Sequence, residues 1–400
     1  MFGKINKSLV IVFVVLLLTN ITYGFFMERI VWYFLGSSMF YLNEGMYFGR
    51  GFLFILVPSF IILAPIIGNL SDQFSRVSVL RWCGLMLAIS FGLMEYAIRN
   101  ESLGLIVVAL FLFGVGNCVW SVGYAYVFEQ GKKEIQRFRT IIFLSICSHF
   151  FFFGGVLSDS FRSTLVPVSN ADYWWLVIIP AFSFLILFFV KEKQDKVGCK
   201  KKTVNKFYHF PQRISRLFLS KRVRWILLVY TLCMFCRGLY LEGPYNIVVF
   251  VGNGSATDLG GYIVYSNLAL FGGVLLLFWF RYIWGISKKY LLLGAAAIII
   301  GVALQLFKSV NMLHILGAVM TGSGMGVFLA TCLYYISYAK GPKYYGILTG
   351  VYISIWAICA AVSDILVSIL IHNFNRVLVS GCLSAIIVFI MLAVGYIVYL

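Results

Sequence analysis

Twelve long apolar stretches, each set off from the next by a polar break, constrain this chain more than any other feature. They cover roughly 8–35, 48–70, 79–98, 103–128, 139–158, 173–190, 225–250, 261–284, 289–307, 313–338, 345–371 and 377–399. A helix needs about 20 mostly apolar residues to cross a bilayer, and only helices and closed barrels satisfy their own backbone there. Barrel strands are short and alternate, so continuous runs predict helices. Of the 400 residues, 62% are hydrophobic and 12% charged, about half the charge of an ordinary soluble domain. That excludes a soluble enzyme, a nucleic-acid-binding protein and a disordered chain. The expected fold class is an all-α polytopic membrane protein of twelve transmembrane helices.

The basic residues orient it. With the N-terminus inside and connections alternating, 25 of the 32 Lys and Arg fall on the inside, as the positive-inside bias requires. The connection from Lys191 to Arg224 alone holds twelve, against Glu192 and Asp195. Outside lie Arg50, Arg99, Arg162, Lys308 and Arg376, while Arg29 and Arg237 fall within spans. Both termini are therefore expected in the cytoplasm, and the protein in the plasma membrane, or the inner membrane of a bacterium. The net charge of +18 follows this sidedness and implies no nucleic-acid partner, although the central loop also suits anionic lipid.

Lys4 and Lys7 precede the first stretch as in a signal peptide, but that stretch exceeds a signal's apolar region and no A-x-A site follows. It reads as an uncleaved span that either extends, tilted, toward Leu42 or ends near Glu28. None of the nine cysteines falls in an outside loop, so no disulfide framework is expected. Cys233-x-x-Cys236 lies within span seven with no His beside it and reads as packing, not as a metal or redox pair. No cofactor and no metal are expected.

Internal spacing suggests duplication. Gly114, Gly116, Ser121, Tyr124 and Gly131 recur 210 residues later as Gly324, Gly326, Thr331, Tyr334 and Gly341. Gly68, Leu70 and Arg76 recur 205 residues later as Gly273, Leu275 and Arg281, with Leu277 replacing Asp72. The organisation expected is a six-helix bundle over 1–190, a basic cytoplasmic loop over 191–224 and a second six-helix bundle over 225–400.

The run Gly68-Asn69-Leu70-Ser71-Asp72-Gln73-Phe74-Ser75-Arg76, in the first short inside loop after span two, resembles the G-x-L-x-D-x-x-x-R signature of the major facilitator superfamily. In physical terms Gly68 permits a close helix approach, Asp72 can accept from a helix N-terminus and pair with a cation, and Arg76 can bind carbonyls or lipid phosphates. The family's motif usually continues with a second cation, where this chain has Val77. The resemblance implies a rocker-switch transporter, with spans one, four, seven and ten lining a midplane cavity and the Asp72 cluster (Gly68, Leu70, Asp72, Arg76) acting as a gate. The chain contains no P-loop, so the drive would be an ion gradient or the solute's own.

Charges inside hydrocarbon are candidates for function. Span one carries Glu28 and Arg29, and span seven, its repeat partner, Arg237 and Glu242. Two guanidiniums on one cavity suit an anionic or zwitterionic solute; alternatively Glu28 and Arg29 sit at the outer interface and Arg237 pairs with Glu242. His149 and Asp364, in spans five and eleven, are candidates to carry a coupling proton, a packing role being the alternative for His149. Asn117, Trp120, Ser121 and Tyr124 on span four, with Tyr334 on span ten, can line the cavity.

Within the superfamily, Gly114-Val115-Gly116 with Ser121, Gly154-Gly155-Val156-Leu157-Ser158-Asp159 and Gly341-Pro342-Lys343 resemble the lysophospholipid transporter branch. Glu28-Arg29 with Tyr33 is similar to part of the span-one motif of proton-coupled peptide transporters, whose preceding Glu is Phe25 here. A drug or siderophore exporter fits the gross pattern too, and a transport-dead sensor is the rival from another class. The outside loops offer scattered Asp159, Asp172 and Asp258, too little for an enzyme. The reading is a monomeric secondary transporter, not an enzyme, for a small-molecule or lipid-like substrate, in contact with membrane lipid.

Overall fold

A computed structural model of the chain describes residues 6–36, 61–131, 134–148, 174–191, 210–239, 256–284, 287–305, 311–373 and 376–399. Each expected span holds a helix. The first half contains α1 (Lys7–Gly36), α2 (61–73), α3 (Arg76–Arg99), α4 (Leu103–Asn117), α5 (Val119–Gln130), α6 (Glu134–Ser148) and α7 (Trp174–Ile186). A short helix, α8 (Phe210–Phe218), lies in the central loop. The second half contains α9 (Lys221–Arg237), α10 (Ala256–Trp284), α11 (Lys289–Gln305), α12 (Asn311–Ser337), α13 (Tyr345–Asn373) and α14 (Arg376–Tyr399). Helix α1 continues without a break past Glu28 to Gly36, which selects the extended form of span one.

Among the described residues, span four divides, at Cys118. There the Asn117 Nδ2 donates to the Phe113 carbonyl (3.2 Å) and the Cys118 thiol to that of Gly114 (3.4 Å). Side chains that bond back to i−4 carbonyls loosen the backbone ladder. The Cys118 amide accordingly reaches only to Val115 (3.1 Å), a tighter turn. Span seven starts four residues earlier than its apolar stretch, at Lys221, because Ser220 is extended and can serve as the helix boundary.

The chain forms two compact units: Met1–Lys132 with Cys147–Leu217 and Gly341–Ser354, and Lys133–Ile146 with Phe218–Lys340 and Ile355–Leu400. In the first, α3 packs on α4 and α7, and α1 on α5 and α7. In the second, α11 packs on α12 and α14, and α9 on α12 and α14. These are the same pairs, spans 3–4, 3–6, 1–4 and 1–6, shifted by six spans. The repeated glycines make this packing possible: a Cβ on Gly116 would strike the backbone of Leu87 in α3, and one on Gly324 the Gly294 carbonyl in α11. Trp82, Ile178, Phe389 and Leu392 stay more than half exposed, as side chains solvated by lipid must be.

Candidate functional site

The turn between α2 and α3 shows what each motif position does. Gly68 meets Gly346 at the start of α13, and a Cβ on either would run into the other's carbonyl oxygen. Leu70 is half-buried and its carbonyl accepts from the Phe74 amide (2.8 Å), closing the last turn of α2. Asp72 is thereby brought against the first turn of α13. Its Oδ1 accepts from the Gly346 amide (2.8 Å) and its Oδ2 from the Ile347 amide (3.1 Å). Helix α13 has no acidic residue in its own first turn, so a carboxylate from α2 satisfies two orphan amides and meets the positive end of the dipole.

Arg76, 8% exposed, completes the clasp. Its Nη2 lies 2.9 Å from Asp72 Oδ1 and 2.8 Å from Glu129 Oε1, and donates to the Pro342 carbonyl (3.2 Å). Its Nη1 donates to Ser71 Oγ (3.2 Å). Burial pushes the Asp72 carboxyl up from its ordinary value, outweighing the downward pulls of Arg76, of the Gly346 and Ile347 amides and of Arg213. The contact is thus a close balance between desolvation and pairing.

The absent second cation is supplied from elsewhere. Val77 is 3% exposed on the inner side of α3, a place where a charge would lose its water. Instead Arg213, on α8, donates through Nη1 to Asn69 Oδ1 (2.7 Å) and sets Nη2 3.4 Å from Asp72 Oδ2. Its Nη2 also donates to the Lys343 carbonyl, and the guanidinium lies 5.4 Å from the centre of the Tyr344 ring. Motif reasoning passes over Arg213, which reads as one loop cation among twelve. The signal that marks it is Phe210, Ile214 and Leu217 at helical spacing behind Pro211, an amphipathic helix inside a polar loop.

Below the clasp, aromatic side chains join α5 to α13. Trp120 and Tyr124 meet edge to face with centroids 5.6 Å apart; Tyr124 lies 6.0 Å from Tyr352, and Phe128 5.7 Å from Tyr345. Ser121 is fully buried where α2, α5 and α13 meet, its hydroxyl 3.4 Å from the carbonyl oxygens of Ala64 and Gly346. The Thr349 hydroxyl lies 2.7 Å from the Ser121 carbonyl. Asn117 is buried, and its Oδ1 has no hydrogen-bond partner among the described residues.

A second junction forms within the other unit, where α6 starts beside the end of α12. The Tyr334 hydroxyl donates to Glu134 Oε1 (3.2 Å), so the structure gives this expected solute contact a partner in α6. Arg137 donates to the Ser337 carbonyl (3.4 Å) and covers the Tyr338 ring at 4.3 Å. Arg281, the counterpart of Arg76, lies 4.4 Å over the Phe138 ring, while Leu277 is 1% exposed.

Arg237 is buried in the last turn of α9. Glu28 and Arg29 lie on α1 and Asp364 on α13, with their side chains outside the described residues. His149 and Glu242 lie outside the described residues altogether.

The sequence profile of the Major Facilitator Superfamily matches residues 21–364. The chain belongs to the major facilitator superfamily. Among solved structures, this facilitator is similar to the human organic anion transporter MFSD10 (TETRAN), with a TM-score of 0.76 and 15% identity over 98% of this chain and 100% of that one. A variant of the E. coli fucose:proton symporter FucP gives 0.70 at 14% identity, covering 96% and 98%. A bacterial homologue of the iron transporter ferroportin gives 0.71 at 14%, covering 98% and 99%. No curated protein matches the sequence. The facilitator is therefore a multi-pass membrane protein with the fold of this transporter family.

Proposed function

We propose that the facilitator is a secondary active transporter that carries a small anionic or zwitterionic organic solute by alternating access. In this reading the six-helix bundles 1–190 and 225–400 rock about a midplane site, joined by the loop 191–224. The observation that carries it is the grip of Asp72 on the first amides of α13. A carboxylate at the end of span two closes on span eleven through bonds that separate without chain unfolding, which is what a gate requires. Both termini face the cytoplasm in this reading, supported by the 25 inside cations against five outside, and the protein works as a monomer in the plasma membrane.

The solute's charge rests on arginines. Arg237 is 7% exposed within an apolar helix, and a buried guanidinium in a membrane span marks a pathway more often than a scaffold. Arg29 lies 208 residues earlier on the repeat-related span. A coupling proton would use His149 or Asp364. The three similar structures are named for unlike cargoes, organic anions, fucose and iron, and supply no cargo for this chain.

Counterflow in proteoliposomes tests the proposal. Labelled carboxylates, phosphate esters and zwitterions should exchange while neutral sugars do not. Arg237→Ala should weaken apparent affinity about tenfold to a hundredfold, the worth of one charge-assisted contact, and Arg237→Lys should recover part of it. Neutral-sugar exchange that survives Arg237→Ala intact would overturn the charge assignment, and absence of exchange for every solute class would overturn transport itself.

A further inference from the structure

A second site lies apart from the clasp, within the unit that holds Phe218–Lys340. The ends of α9, α11, α12 and α14 enclose a cavity of about 780 Å³. Lys221, Arg222 and Lys288, all exposed, line it from the starts of α9 and α11; Trp225 and Leu291, about one turn further along the same helices, and Ile397 on α14 supply apolar lining. Tyr335 adds a hydroxyl. No carboxylate is among the described lining residues to pair with the three charges.

The helix starts sharpen the imbalance. Neither α9 nor α11 has an acidic residue in its first turn. Helix α9 opens instead on Lys221 and Arg222, and Ser220 provides no side-chain cap. Cations at the positive end of a helix dipole repel it, and an anion lodged there relieves both.

We propose that this cavity binds one anionic phospholipid, its phosphate held by Lys221, Arg222 and Lys288 and the upper part of an acyl chain lying on Trp225, Leu291 and Ile397. The size and the walls select a lipid over free phosphate, which would fill a small fraction of the volume and gain nothing from an indole that is 45% exposed. The order of chemistry along the cavity, cations first and hydrocarbon beyond, is the order along a lipid molecule.

Tryptophan quenching by brominated lipids tests it on the whole chain in detergent. Phosphatidylglycerol with brominated acyl chains should quench saturably at far lower concentration than brominated phosphatidylcholine, a comparison that needs no variant. Trp225→Phe should remove the quenched component. Arg222→Gln and Lys288→Gln should each weaken phosphatidylglycerol by about fivefold, the worth of one interfacial cation. Arg224→Gln, on the same turn but off the cavity, should leave it unchanged. Equal quenching by the two lipids, equal weakening by Arg224→Gln, or full reversal by millimolar inorganic phosphate would each overturn the proposal, the last by making it a free-anion site.

Discussion

The α2–α3 turn and its repeat, the α10–α11 turn, serve the same place in their units with different chemistry. In the first, Asp72 caps α13 and two guanidiniums, Arg76 and Arg213, pair with it. In the second, the aspartate position falls within α10 itself and holds buried Leu277, and Arg281, in the last turn of α10, rests on a phenylalanine ring. The difference follows from the helix each turn meets. Helix α6 carries Glu134 in its own first turn and needs no outside carboxylate, whereas α13 carries none. One repeat thus carries the negative charge at the end of α2 and the other at the start of α6, and the arginine meets a carboxylate in one and a ring in the other.

The strongest way to break this comparison is to restore the lost charge. Leu277→Asp would bury a carboxylate in a unit where α6 already supplies Glu134. It should destabilise the protein by more than about 3 kcal/mol, read as a fall in melting temperature and in monodisperse yield. A variant of unchanged stability would show that the second turn accepts the first turn's chemistry.

Asp72→Asn comes next. It turns one of two acceptor oxygens into a donor facing the α13 amides and leaves Arg213 without its carboxylate, while Arg76 keeps Glu129, at a cost of about 3 kcal/mol. A cysteine at buried Thr349 should then be alkylated on the order of a hundredfold faster, and counterflow should fall sharply. Unchanged alkylation and unchanged transport would remove the gate.

Arg213→Gln should give an effect of about 1 kcal/mol, or roughly fivefold in the same alkylation, since a partly exposed ion pair is lost while Arg76 remains. Arg213→Lys should restore less than half of it, because it keeps the charge and loses the fork that spans Asn69 and Asp72. Tyr334→Phe should be smallest, at most about 1 kcal/mol of stability, with no change at Thr349. An effect at Thr349 would mean that the two junctions act as one.

The spans were legible because hydrophobic length alone decides them, and Asp72 with Arg76 because four residues of fixed spacing carry the clasp. Arg213 was not: it lies 141 residues from Asp72, in a loop whose cations look alike until the chain is folded. Ser121 shows a different loss. Spacing puts it on a face with Trp120 and Tyr124, but only the fold reveals that its hydroxyl points at the carbonyls of neighbouring helices. Periodicity identifies a face without telling what that face meets. The break at Cys118 was equally hidden, because it comes from side chains competing for carbonyls within one helix.

The meeting of Gly68 with Gly346 bears on speed. Two helices held by interlocked side chains must change rotamers before they separate, and must find them again on return. Here the closest approach is main chain on main chain, with no side chain between to rearrange. In the proposed cycle friction at this contact is therefore low in both directions, and the bonds of Asp72 and its arginines set the barrier together with the aromatic contacts between α5 and α13. Adding even a methyl group at either glycine would hold the surfaces apart. Under the proposed function, the number of solutes moved per second would then depend on that carboxylate, and a chain that needed a slower or faster cycle could change it there without repacking a helix.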